Sequence, residues 1–143
     1  MLFRSEGFRG NAVRQTYRLG LLEVCDNLVE AMGEGALVMG EAAGAERLVC
    51  RANQFSRLGE KRMGGKVGKM GFAALQLLAV RQAELRSNSF NDIGAEARDL
   101  DYIEGVRALA VDDLQVVENH FTGIGPPGGW AKCVCIQIGR AHV

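Results

Sequence analysis

Four cysteines, two histidines and two charged loops are the groups in this 143-residue chain whose types could do chemistry. A zinc site is usually announced by close pairs of thiolates or imidazoles, typically Cys-x-x-Cys. Here Cys133 and Cys135 are separated by one residue, and Cys25 and Cys50 belong to different stretches, so all four read as small apolar core residues. In a strand Cys133 and Cys135 share a face. His120 stands beside Asn119 with no nucleophile and acid in a triad-like pattern, and His142 is next to last in the chain. The sequence therefore assigns no catalytic, cofactor-binding or metal-ligating residue and implies no cofactor.

The loop at 59–71, G-E-K-R-M-G-G-K-V-G-K-M-G, invites comparison with a phosphate-binding loop. That pattern needs Gly, four residues, then Gly-Lys-Ser/Thr, whereas here Gly64 precedes Gly65 and Val67 follows Lys66. No aromatic interleaves the basic residues, so nucleic acid is not an expected partner. The stretch reads as a long solvated loop. A second loop, A-E-A-R-D-L-D-Y-I-E, carries Asp99, Asp101 and Glu104, but lacks the central Gly and final Glu of a calcium loop and reads as solvated surface.

The polar residues whose spacing carries information are asparagines. Leu109 to Gly125, L-A-V-D-D-L-Q-V-V-E-N-H-F-T-G-I-G, overlays without a gap on Leu78 to Gly94, L-A-V-R-Q-A-E-L-R-S-N-S-F-N-D-I-G. The two agree at Leu, Ala, Val, Asn, Phe, Ile and Gly. Used as a probe, the second half of this unit also finds Asn27, Val29, Met32, Gly33 and Asn53, Phe55, Leu58, Gly59, ahead of Asn88, Phe90, Ile93, Gly94 and Asn119, Phe121, Ile124, Gly125. The asparagines are 26, 35 and 31 residues apart. A fixed motif with variable spacing suits a solenoid whose turns share a cross-section and carry loops of unequal length. Asn at a corner tolerates unusual backbone angles, and its amide can bond the Asn one turn along. Its expected role is structural.

The asparagines need elements to bring them together. Five residues before them stand Leu22, Leu48, Ala83 and Leu114, and three before them Val24, Cys50, Leu85 and Val116. Between these lie Glu23, Val49, Glu84 and Gln115, the in-and-out alternation of a strand. Earlier strand-like runs are Ala36 to Met39, Ala73 to Leu78, Val106 to Val111 and Cys133 to Ile136. Helical spacing competes, as at Leu75, Leu78, Ala79, Gln82 and Leu85. The aligned copy, with its β-branched residues and an Asp pair at a corner, decides for strands. The expected turns are Val13 to Gly33, where Tyr17 and Leu19 take the places of Leu109 and Val111 and Arg14 that of Val106, then Gly35 to Gly59, Phe72 to Gly94 and Val106 to Gly125. Leu22, Leu48, Leu114, Val24, Leu85, Val116, Phe55, Phe90 and Phe121 are expected inside.

With 17 basic and 17 acidic residues the chain has no charge bias toward a partner, and no apolar run suggests a membrane span. The ends are of another character. Gln-Ile-Gly-Arg-Ala-His-Val back-translates to DNA that resembles a common sequencing adapter followed by a stop, and Met-Leu-Phe-Arg-Ser resembles the reverse complement of the same adapter. Residues 1–5 and 137–143 are therefore expected to be adapter-derived, leaving 6–136 as an internal stretch of a longer protein.

The unit L-x-V-x-x-N-x-F-x-x-I-G over residues 13 to 136 resembles the right-handed parallel β-helix repeat of the pectate-lyase-like superfamily. The resemblance implies an all-β solenoid of about four turns, roughly 20 Å long at ~4.8 Å per strand, in an extracellular or cell-surface setting. It implies either a non-catalytic structural or binding solenoid, with polysaccharide or other turns of the same chain as partner, or part of a polysaccharide lyase or hydrolase whose site lies largely elsewhere. Lyases of that kind use an outward acidic cluster and a basic residue. The outward positions here, Glu23, Arg51, Glu84, Arg86 and Gln115, are mixed in charge, and no catalytic residue carries over.

Overall fold

A computed structural model describes residues 4–6, 13–15, 18–30, 37–39, 44–59, 72–95, 103–128 and 131–137. Every regular element among them is a strand. In chain order these are β1 (Arg4–Glu6), β2 (Val13–Gln15), β3 (Arg18–Cys25), β4 (Leu28–Glu30), β5 (Leu37–Met39), β6 (Gly44–Arg51), β7 (Gln54–Ser56), β8 (Phe72–Leu77), β9 (Val80–Arg86), β10 (Ser89–Ile93), β11 (Ile103–Leu109), β12 (Asp113–Val117), β13 (His120–Ile124) and β14 (Lys132–Gln137). The segment whose spacing also fits a helix forms β8 and β9, with a bend at Leu78 and Ala79 between them. The run expected to reach Val111 ends at Leu109, because Ala110 turns the corner at φ 56°.

The strands form three sheets, ordered β2-β5-β8-β11-β14 (sheet I), β3-β6-β9-β12 (sheet II) and β1-β4-β7-β10-β13 (sheet III). Each strand pairs in parallel with the third strand before or after it, so the chain visits the three sheets in fixed rotation. This arrangement is compatible with a parallel β-helix. The register stacks like on like. Leu22, Leu48, Ala83 and Leu114 form one column and Val24, Cys50, Leu85 and Val116 the next. Val29, Phe55, Phe90 and Phe121 form a third. In the first turn the gap-free reading slips. Val13, not Arg14, lies in the column of Leu37, Leu75 and Val106, because the corner leading to Leu19 is one residue longer than the one from Leu75 to Val80. Tyr17 lies outside the described residues.

The columns make one core. Leu22, Leu48, Val24, Leu85, Phe55 and Phe90 are buried as expected, and Leu114 and Phe121 are half-buried against the same cluster. Val116 departs from expectation at 37 % exposure. Its column mates Cys50 and Leu85 are at 0 %, so its orientation is inward; β12 is the outermost strand of sheet II and nothing described lies over it. Phe90 packs between Phe55 and Phe121 at centroid distances of 5.0 and 4.7 Å. Beneath Phe121 a side chain has no room: a Cβ on Gly105 would lie 2.7 Å from the Phe121 ring and from the Cys133 carbonyl oxygen.

The corner between sheets II and III sets the ladder. Asn27, Asn53 and Asn88 are buried, and each donates its side-chain N–H to the Oδ1 of the next Asn at 2.9 Å, as far as Asn119. The same Oδ1 also accepts the main-chain N–H of the preceding Asn, at 3.0 to 3.1 Å. The second Nδ2 proton of Asn53, Asn88 and Asn119 goes to the carbonyl of Val24, Cys50 and Leu85 in the turn before. For Asn53 and Asn88 both donors and both acceptor positions are thereby filled. The unusual backbone falls one residue earlier than the sequence suggests: Asp26, Ala52, Ser87 and Glu118 sit at φ 54 to 58° while the asparagines do not. Gly59, Gly94 and Gly125 close their units at φ 74, 66 and 79°, where a Cβ is costly. Gly33 lies outside the described residues.

Candidate functional site

The exterior of sheet II is the described surface with the densest polar chemistry. Alternation fixes what it shows. Because Leu48, Cys50, Ala83 and Leu85 point inward, Arg47, Val49, Arg51, Gln82, Glu84 and Arg86 point outward, and register aligns them with Leu21 and Glu23 on one side and Asp113 and Gln115 on the other. Val49 is only 4 % exposed despite facing out. It lies in register between Glu23 and Glu84 and is flanked along its strand by Arg47 and Arg51, whose aliphatic stems can lie over apolar surface.

Of the outward residues singled out by sequence, the structure brings Arg51, Glu84 and Arg86 together. Arg86 Nε donates to Glu84 Oε1 at 3.0 Å, and Arg51 Nη2 lies 3.6 Å from the same oxygen. The hydrogen bond from Arg86 holds the Glu84 carboxyl below its ordinary range, with Arg51 and Arg47 adding to the effect against a small desolvation penalty. Glu23 and Gln115 are exposed in the same column as Glu84. Beside this cluster runs a shallow groove of about 230 Å³ lined by Arg47, Gln82, Ala83, Glu84, Asp113 and Gln115. It offers guanidinium and amide donors on one side and carboxylate acceptors on the other, a lining suited to a polar, hydrogen-bonding ligand.

The other candidates fall elsewhere. Glu104 is not loop surface: it belongs to β11, is 2 % exposed and pairs with Arg107 Nη1 at 3.2 Å. A carboxylate so enclosed is kept ionised by a partner rather than by water. Asp99 and Asp101, and the basic loop beyond Gly59, lie outside the described residues. Cys50 is a core residue, and burial pushes its thiol up to about 12. Cys133 and Cys135 are not core. Val134 between them packs toward the core, so the pair faces outward on β14, the outermost strand of sheet I. Partial burial and a hydrogen bond with Glu104 raise the Cys135 thiol. All four cysteines are free thiols. His120 is exposed and lies 2.9 Å from the Thr122 hydroxyl, and His142 is outside the described residues. Among the described residues no three of His, Cys, Asp and Glu converge on one point.

Sequence reasoning missed Arg47, Gln82 and Asp113 as groove residues. Register would have found them, since all three share one column with Leu21. Comparison with protein-family models, with curated proteins and with solved structures finds no match to this chain.

Proposed function

We propose that this chain is a stretch of a right-handed parallel β-helix of the pectate-lyase-like kind, and that it works as a non-catalytic scaffold whose exterior binds polysaccharide or another hydrogen-bonding surface. Right-handedness is what parallel strands joined by crossovers adopt almost without exception. The observation that supports a scaffold is how the outward charges are used. Glu84 is engaged by both Arg51 and Arg86, so the centre of sheet II neutralises itself instead of holding a carboxylate ready for proton transfer. The ladder beneath it fixes the strand spacing at which such side chains recur, which suits repetitive contact along a polymer.

A second reading, a piece of a polysaccharide lyase or hydrolase, draws on the groove in which Glu84 and Asp113 flank Arg47. The discriminating experiment is affinity electrophoresis of the chain through neutral and acidic polysaccharides, with product followed as reducing ends and as unsaturated uronate absorbance. Retardation without product is the expected result. Product whose formation is lost in Arg47→Ala or Glu84→Gln would replace the scaffold with the enzyme.

A further inference from the structure

The β12–β13 end of the stack is chemically unfinished in a way that specifies its complement. Sheets I and III have five strands and sheet II has four, the missing one lying beside β12. Leu114, Val116 and Phe121 stay partly exposed there while their column mates Leu48, Leu85 and Phe90 are fully buried. The polar groups are equally particular. In three successive steps the main-chain N–H of one Asn is taken by the Oδ1 of the next, yet no described residue takes that of Asn119. In three successive steps the side-chain amide of an Asn reaches back to the carbonyl three residues before the previous Asn, on Val24, Cys50 and Leu85. The next carbonyl in that series is that of Val116.

We infer that this end is an acceptor surface for an Asn-bearing strand–corner–strand segment of another polypeptide carrying the same repeat, added in parallel and in register. The occupant is defined by the surface: apolar side chains over Leu114 and Val116, Asn over Asn119 and an apolar or aromatic residue over Phe121. An apolar peptide without the Asn covers the columns but leaves the Asn119 N–H and the Val116 carbonyl shut away from water without partners, which is the costly outcome. The inference rests on the stacked register alone, not on the scaffold reading, and survives if the chain proves to be part of an enzyme.

The test uses the full chain and a fluorescent peptide with the sequence of residues 78–94, L-A-V-R-Q-A-E-L-R-S-N-S-F-N-D-I-G, followed by anisotropy and by light scattering after size exclusion. The expected result is saturable one-to-one binding, weakened about tenfold in the peptide with Asn88→Ala, as the loss of two buried hydrogen bonds implies, and abolished in the chain by Val116→Glu with its circular dichroism unchanged. If the chain alone forms multimers, the peptide dissociates them to the one-to-one complex. No binding, equal binding of the two peptides, or multimers that the peptide leaves intact would each overturn the inference, the last by making a second copy the occupant.

Discussion

Replacing Asn88 by Ala should be among the most damaging single changes in the molecule, and the structure gives its size. The side chain is 1 % exposed. Its Oδ1 accepts the Asn53 N–H at 3.1 Å and the Asn53 Nδ2 at 2.9 Å, and its Nδ2 donates to the Cys50 carbonyl and to Asn119 Oδ1, each at 2.9 Å. Truncation strands two fully enclosed main-chain groups, the Asn53 N–H and the Cys50 carbonyl. At about 1–3 kcal/mol for each buried group left without a partner, the expected cost is roughly 3–5 kcal/mol, a large share of the 5–15 kcal/mol typical of a domain. Asn119 provides the internal control. It makes the same kinds of bond but is half-buried at the end of the ladder, where water can replace the lost amide, so Asn119→Ala should cost about 1 kcal/mol. Urea unfolding followed by circular dichroism, with the midpoints compared at common slope, reads both. Equal midpoint shifts for the two variants, or a shift for Asn88→Ala worth under about 1 kcal/mol, would refute the ladder as a source of stability.

Phe90→Ala should cost on the order of 3–5 kcal/mol in the same assay, because the ring is fully buried and touches an aromatic on each side, whereas Phe121→Ala at the half-buried end should cost less. Ala52 is exposed at φ 54°, so Ala52→Gly should be neutral or stabilising by up to about 1 kcal/mol and Ala52→Val destabilising, a reversal of the usual order for a strand-rich region. Maleimide labelling at pH 7 should modify exposed Cys133 within minutes and spare Cys50, whose thiol is pushed up to about 12, until the chain is unfolded. The folded pKa of Glu84 lies below its unfolded value, so its contribution is present above the unfolded pKa and is lost as pH falls through the folded one. Acid titration of Arg86→Ala should therefore show a weaker loss of stability below about pH 4.3 than the parent; identical acid profiles would remove the pair from the account.

The parts of this fold that were legible in the sequence are those where stacking puts one residue type on itself. Asn27, Asn53, Asn88 and Asn119 recur because an amide bonds another amide in register, and Phe55, Phe90 and Phe121 recur because rings stack. Either repeat can be read without coordinates. The left-handed residues before each Asn could not be, because Asp26, Ala52, Ser87 and Glu118 share no side-chain property. Their backbone is imposed by bonds that run through the corner, from Asp26, Ala52 and Ser87 N–H to the carbonyls of Arg51, Arg86 and Val117. Phase was lost at the margins for a related reason. Cys133 and Cys135 lie in a strand with no Asn after it to fix the register, so the inward residue, Val134, could not be told from its neighbours.

The same distinction explains why architecture is easier to read here than function. An inward residue answers to the residues stacked above and below it, which belong to the same chain and leave their imprint on it as a repeat. An outward residue answers to solvent, to its neighbours or to a ligand, and only the first two are written in the chain. On sheet II the column Leu21, Arg47, Gln82 and Asp113 passes from apolar to basic to neutral to acidic over four strands, while the inward columns beside it stay apolar throughout. That gradient does not come from the fold, which would accept any polar side chain at each position. It is at this column, and at the groove it borders, that substitutions leaving stability untouched should reveal what the exterior binds.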